Sequence, residues 1–234
     1  MTTPDEPQTR SALEELDRDP SSRKRFLTAL GGTGAVAAFG VVLAACGSSS
    51  KSSSSSGSSS PTGSTPSSSS GETDMFGKGD LGIVGYALTL EYLEADFYKQ
   101  AAASGKLKGS ALALAKQFGD EEMQHVTALE GALKKAGGKL PAKPKGKFPL
   151  DSQDAIIKLA ATVENLGASA YLGQAGRIKD KEILAAALSI HTIEARHAAV
   201  LNTVLGKDIT PDGAFAAATD AATVLKKVKP FIAS

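Results

Sequence analysis

The chain has no tryptophan, one cysteine and only three histidines among 234 residues. The single Cys46 excludes an intrachain disulfide. Charge of one sign is missing too: 26 basic residues stand against 25 acidic ones. A basic patch for nucleic acid is therefore not the leading reading, and no nucleic-acid partner is expected. Aromatic residues make up 5% of the chain, and strand-type runs of Val, Ile, Thr and aromatics are lacking. What abounds is Ala, with Leu, Glu and Lys, and these favour helix. The folded part is expected to be all-α.

The first seventy residues read as something other than the fold. A polar leader ends in Ser22-Arg23-Lys24-Arg25, and Phe26 to Ala45 carry no charge. Leu43-Ala44-Ala45-Cys46-Gly47 closes that run. Basic flank, apolar stretch and small residues before a cysteine look like a bacterial lipoprotein signal, cut before a lipid-modified Cys46. The run is also about as long as a membrane span needs, so an uncleaved anchor is the alternative. Either outcome tethers the chain to a membrane. Ser22-Arg23-Lys24-Arg25-Phe26-Leu27 resembles the twin-arginine (Tat) export signal, with Lys24 where the second Arg is expected; the general secretory route stays open. Gly32-Thr33-Gly34 lies inside this signal with no strand before it, so a nucleotide loop is rejected. From Gly47 to about Gly71 the chain is nearly all Ser, Gly, Thr and Pro, with almost no apolar surface to bury. Such a tether spans roughly 28 Å. The expected organisation is an export signal over 1–46, a disordered linker over 47–74 and a helical domain over 75–234.

Four long helices and a short C-terminal one follow from the apolar periodicity. The first covers about Asp80 to Ala103, with Val84, Ala87, Leu88, Glu91, Ala95 and Tyr98 on one face, and Ser104-Gly105 ends it. The second covers about Ser110 to Ala136 and stops at Gly137-Gly138. The segment from Lys139 to Leu150 holds prolines at 141, 144 and 149 and is no helix. It can reach about 40 Å when extended, enough to run the length of a bundle. The third helix starts at Asp151 or Ser152 and runs to about Ala175; the fourth covers about Lys179 to Leu205. The last, near Ala216 to Val228, is expected on the outside, stopped by Pro230. Lys226, Lys227 and Lys229 read as a solvated face.

The scarce histidines carry the chemistry. Glu122 and His125 form one Glu-x-x-His pair, and Glu194 and His197 form another. Each pair follows a lone glutamate, Glu91 or Glu164, at 31 positions (122 minus 91) and 30 positions (194 minus 164). The register extends further: Glu91, Ala95 and Tyr98 match Glu164, Ala168 and Tyr171. Two helical hairpins related by a pseudo-twofold axis are implied. Glu at i and His at i+3 share a helix face and can reach one cation. Two such pairs and two lone carboxylates are the ligand set of a two-metal site in a four-helix bundle. Four carboxylates supply about −4 and two divalent cations +4, which cancels charge that would otherwise be costly to bury. Carboxylate and imidazole without thiolate suit iron or manganese and admit zinc, with iron favoured.

Four further residues belong to the surroundings. Tyr98 and Tyr171, two turns from the lone glutamates, are placed to orient ligand carboxylates or simply to pack. Glu94 competes with Glu91 for the ligand position. Its counterpart is Gly167 whereas that of Glu91 is Glu164, which favours Glu91 and leaves Glu94 as a neighbour of the site. His191, one turn before Glu194 with Gly119 as counterpart, reads as a structural histidine near the site or as an extra ligand.

From Ala87 to Tyr98 the chain resembles the opening helix of secreted bacterial ferritin-like proteins and the related desiccation-associated proteins. The ferritin-like pattern Glu, Glu-x-x-His, Glu, Glu-x-x-His maps without gaps onto Glu91, Glu122, His125, Glu164, Glu194 and His197. The resemblance covers about Asp80 to Leu205. It implies a ferritin-like four-helix bundle, two hairpins joined by a long crossover, holding two divalent transition-metal ions. It also implies chemistry on oxygen or peroxide of the ferroxidase, rubrerythrin-like peroxidase or manganese-catalase kind, or metal sequestration without turnover. A lipid anchor fits poorly with a closed iron-storage cage, and the four cysteines of a rubredoxin module are missing. The expected product is an exported, membrane-anchored lipoprotein that protects the cell envelope against stress.

Overall fold

The computed structural model describes residues 71–233. The expected export signal, Cys46 and all but the end of the expected linker lie outside the described residues. The described residues form five α-helices: α1 (Asp80–Ala103), α2 (Gly109–Lys135), α3 (Gln153–Ala175), α4 (Lys181–Val204) and α5 (Ala221–Val228). Short 3-10 turns at Asp74–Phe76 and Lys229–Phe231 flank them. Among the described residues there is no strand, and no helix is long and apolar enough to cross a membrane.

Local chemistry sets the ends. Gly137 takes φ 74° after α2, and Gly138 N–H donates to Leu133 O at 2.8 Å. These are the left-handed residue and 6→1 bond of a Schellman stop. Ser152 Oγ accepts from Ala155 N–H and opens α3. The Asp180 carboxylate accepts from Glu182 and Ile183 N–H, so α4 starts two residues later than its periodicity suggests. Asp220 does the same for α5 through Thr223 N–H, and residues 216–220 stay outside that helix. The Asp80 carboxylate at the start of α1 accepts from Lys179 and Asp180 N–H and ties the α3–α4 turn to it.

α1 packs along α2, and α3 along α4, as two hairpins. The proline-bearing segment crosses between them. Asp96 of α1 accepts from Gly146 N–H at 2.8 Å, and Phe148 lies 5.2 Å from the Phe97 ring. The C-terminal tail runs antiparallel to the crossover: Lys147 N–H donates to Phe231 O and Ala233 N–H to Lys145 O, both at 2.8 Å.

α1 is buried almost all round rather than on one face. Its outer residues Tyr86, Leu90 and Leu93 pack under Ala221, Val224 and Val228 of α5. α5 therefore covers the outside of the bundle, as expected, and removes the solvent face that α1 would otherwise have. A close backbone approach leads into it. A Cβ at Gly173 would sit 2.0 Å from the Thr219 carbonyl oxygen, which cannot move cheaply because Thr219 N–H is bonded to Ser169 O. Gly173→Ala is expected to cost about 3 kcal/mol, or a melting point lower by roughly 6–12 °C by calorimetry. Gly176→Ala, next to open space, is expected to be nearly neutral.

Candidate metal centre

The four long helices bury a layer of acid among their apolar side chains. Glu91, Glu122, Glu164 and Glu194 each have 0% exposure, and His125 and His197 are buried beside them. One helix supplies each glutamate, and α2 and α4 supply the histidines one turn further on. All six residues predicted from the spacing converge. Ligand atoms of Glu91, Glu122, His125 and Glu194 all lie within 4.8 Å of one another, and so do those of Glu122, Glu164, Glu194 and His197. Glu122 and Glu194 belong to both groups. The lone Glu91 and Glu164 each belong to one group only. The glutamates of the Glu-x-x-His pairs face the centre, while the lone ones are held at its two ends.

His125 Nδ1 lies 3.0 Å from Glu122 Oε2, 3.3 Å from Glu91 Oε2 and 3.4 Å from Glu194 Oε1. His197 Nδ1 lies 3.1 Å from Glu122 Oε1 and 3.2 Å from Glu164 Oε2. The tyrosines bond across the hairpins: Tyr98 O–H donates to Glu164, and Tyr171 O–H donates to Glu91. Burial, then the neighbouring carboxylates, hold both phenols well above their ordinary range, so they remain donors.

The electrostatics are those of an over-filled acid pocket. Burial pushes Glu91 up to about 7, against the pull of His125. Burial also raises Glu164, and it lifts Glu194 well above the carboxylate range with help from Glu122 and Glu164. Glu122 goes the other way, to about 2, because the hydrogen bond from His125 and the charge of the two imidazoles beside it outweigh its burial. Burial would lower His197, yet Glu122 and Glu164 push it up to about 11, and His125 is raised as well.

Metal ions fit this arrangement. Glu122 Oε1 and both oxygens of Glu194 are buried with no hydrogen-bond partner. Imidazole nitrogens stand 3.1 and 3.4 Å from Glu122 Oε1 and Glu194 Oε1, at angles that make no hydrogen bond. A buried carboxylate oxygen left unpaired costs a few kcal/mol, and a cation shared by the two groups supplies the missing partner. The donor set, carboxylate and imidazole without sulfur, suits iron, manganese or zinc. The sequence matches the family described as ferritin-like domain over residues 79–207.

The chain belongs to the ferritin-like domain family. Its fold is similar to a solved structure, that of a conserved hypothetical protein, rv2844, from Mycobacterium tuberculosis. The two share 21% identity at a TM-score of 0.50, over 54% of this chain and 90% of that one, and the likeness bears on the fold alone. No curated protein matches the chain.

Two features of this ferritin-like domain lie beyond the six residues. Glu121 precedes Glu122 on the partly exposed side of α2, where periodicity gives no sign of a role. Its Oε2 accepts from His197 Nε2–H at 2.6 Å, which leaves Nδ1 turned to the carboxylates. The only sequence signal was the doubled Glu121-Glu122. Its counterpart in α4 is Ile193, so His125 has no such support. Phe118, one turn before Glu122 on α2, stacks on the His197 ring at 3.9 Å.

The second feature is Glu94, which is 4% exposed and lies outside both ligand groups. The glycine at its repeat counterpart makes room: a Cβ at Gly167 would sit 2.9 Å from Glu94 Oε1 and 2.6 Å from Glu194 Oε2. Burial, then Glu194, hold Glu94 well above the carboxylate range, which favours its protonated form beside the ligand groups. Glu94→Gln, which keeps shape and neutrality, is expected to hold metal within about threefold of the parent. A loss of 100-fold or more, by competition with a chelating dye, would make Glu94 an anionic ligand instead. His191 stands apart: its Nδ1 lies 2.9 Å from Ala168 O and bonds none of the carboxylates. It joins α4 to α3 as a structural histidine.

Proposed function

We propose that this centre holds two divalent transition-metal ions, iron first, and that the loaded protein oxidises Fe(II) with dioxygen or peroxide. The observation that carries the reading is the pair of fully buried ligand groups sharing Glu122 and Glu194, whose free oxygens have no protein partner. Glu91 and His125 would complete one position, and Glu164 and His197 the other. Two Fe(II) ions held there supply two electrons, enough to take dioxygen and two protons to hydrogen peroxide, or peroxide and two protons to two waters.

The protein's own part is positioning. Tyr98 and Tyr171 fix the end carboxylates by hydrogen bonds from the opposite hairpin. Glu121 holds His197 in the tautomer whose Nδ1 lone pair faces the centre. Glu91 and His197, which hold protons near neutral pH, give them up when a cation enters. With the sequence signal at Cys46, the reading is of a lipid-tethered oxidoreductase outside the cytoplasmic membrane that guards the envelope against iron and oxidants.

The test is to add two equivalents of Fe(II) to the metal-free chain in an oxygen electrode, with elemental analysis of what is retained. Oxygen uptake that disappears in Glu194→Gln supports the reading. A flat trace with iron retained makes the protein a metal-sequestering one, and no retained metal contradicts the proposal.

A further inference from the structure

One end of the bundle is hollow. A cavity of about 110 Å³ lies between α1, α2, α3 and the end of α4. Ser110 and Val204 line it and are exposed, so they mark its mouth. Tyr98, Phe118, Ile156 and Ala160 line it and are buried, so they mark its floor. The floor is also the wall of the metal centre. The Tyr98 hydroxyl donates to Glu164, Phe118 stacks on His197, and the two rings meet edge to face at 5.9 Å. One layer of side chains separates the cavity from the ligands of the His197 position.

From this we propose that the cavity is the entry pocket for dioxygen, delivering it to the His197 position; the inference rests on the metal-centre reading above. The lining chooses the occupant. A buried water needs two to four polar partners. At the floor the one polar side-chain group, the Tyr98 hydroxyl, is committed to Glu164; the other polar side chains, Ser110 and Gln153, lie at the mouth and rim. Hydrogen peroxide, as demanding as water, is disfavoured for the same reason. The size excludes most organic substrates: cavities that hold benzene are about 150 Å³, and drug-sized ligands need roughly 300 Å³ or more. A diatomic apolar gas fits both limits.

The approach is one-sided. The repeat counterpart of Phe118 is Ile190, which packs in a core cluster with Tyr171 and Ala187 near the other position. The two metal positions are thus unequal in access, as they are in the Glu121 bond to His197. Dioxygen reaches the position that has the supported histidine.

Xenon, an apolar probe for such cavities, tests this directly. Crystals of the chain pressurised with xenon are expected to show a peak between Phe118 and Ala160. Two filling variants, Ala111→Leu at the half-buried rim and Ala160→Leu at the floor, are expected to lose it. Loaded with iron, both variants are expected to oxidise Fe(II) with dioxygen at least 10-fold more slowly. Their peroxide-driven rate and metal stoichiometry should stay at the parent values. The half-buried rim position keeps the test valid if the floor variant fails to fold. Metal binding with no xenon peak would overturn this inference alone. So would equal slowing with dioxygen and peroxide, or full dioxygen reactivity in a variant that excludes xenon. A chain that binds no metal would overturn the metal-centre reading and this inference with it, whatever the xenon shows.

Discussion

Replacing Glu194 with Leu is expected to make the metal-free protein more stable and to abolish metal binding at both positions. Glu194 is fully buried, both its oxygens lack a hydrogen-bond partner, and it belongs to both ligand groups. In the metal-free protein it is a liability of a few kcal/mol. A similar-sized apolar residue should therefore gain about 1–3 kcal/mol, a rise in melting temperature of about 2–12 °C. Metal affinity should fall more than 100-fold at each position. Glu164→Leu should behave differently. Glu164 accepts from Tyr98 and His197 and belongs to one group only. Its loss strands two buried donors, so the metal-free protein should be less stable, while the His125 position still binds one ion. Calorimetry and metal titration of the two variants separate these outcomes. If Glu194→Leu destabilises the metal-free protein as much as Glu164→Leu does, the site is an ordinary buried hydrogen-bond network.

The metal-free protein is expected to lose stability as pH rises from 5 to 9, and the loaded protein is not. Glu91 moves from an ordinary 4.5 to about 7 on folding. Between those values the folded state binds more protons than the unfolded one, so the slope of stability against pH is negative. Glu91 alone removes on the order of 3 kcal/mol across that window, roughly 6–12 °C in melting temperature. His197, raised to about 11, continues the same trend above neutrality, since its stabilisation is complete below 6.5 and is lost towards 11. Glu122, lowered to about 2, has the opposite sign and matters only as pH falls towards 2. A cation displaces these protons, so its affinity rises with pH. The gap in melting temperature between loaded and metal-free protein should widen from pH 5 to pH 9. A gap that narrows would reverse the proton count assigned to the centre.

Much of this was legible in the sequence because helix register is a strong constraint. Glu-x-x-His puts two donors on one face, and the repeat fixed which faces meet, so the six central residues could be named together. The helix ends at Ser104-Gly105 and Gly137-Gly138 follow from local turn chemistry alone. What escaped depended on contacts between hairpins. Glu121 sits off the apolar stripe of α2, and its bond is to a residue 76 positions away. The full burial of α1, and with it of Glu94, comes from α5 folding back over Tyr86, Leu90 and Leu93. No periodicity within α1 encodes that cover. Sharing by Glu122 and Glu194 rather than by the lone glutamates depends on side-chain direction at the pseudo-twofold axis, which spacing along one helix does not define.

The central claim is that cations neutralise the acid layer, and anomalous diffraction on crystals of iron-loaded protein tests it most directly. The expected map has two peaks, one bonded to His125 Nδ1 and the other to His197 Nδ1, with Glu122 and Glu194 oxygens against both. A map with no anomalous density among these six residues, from crystals soaked in excess Fe(II), would contradict it.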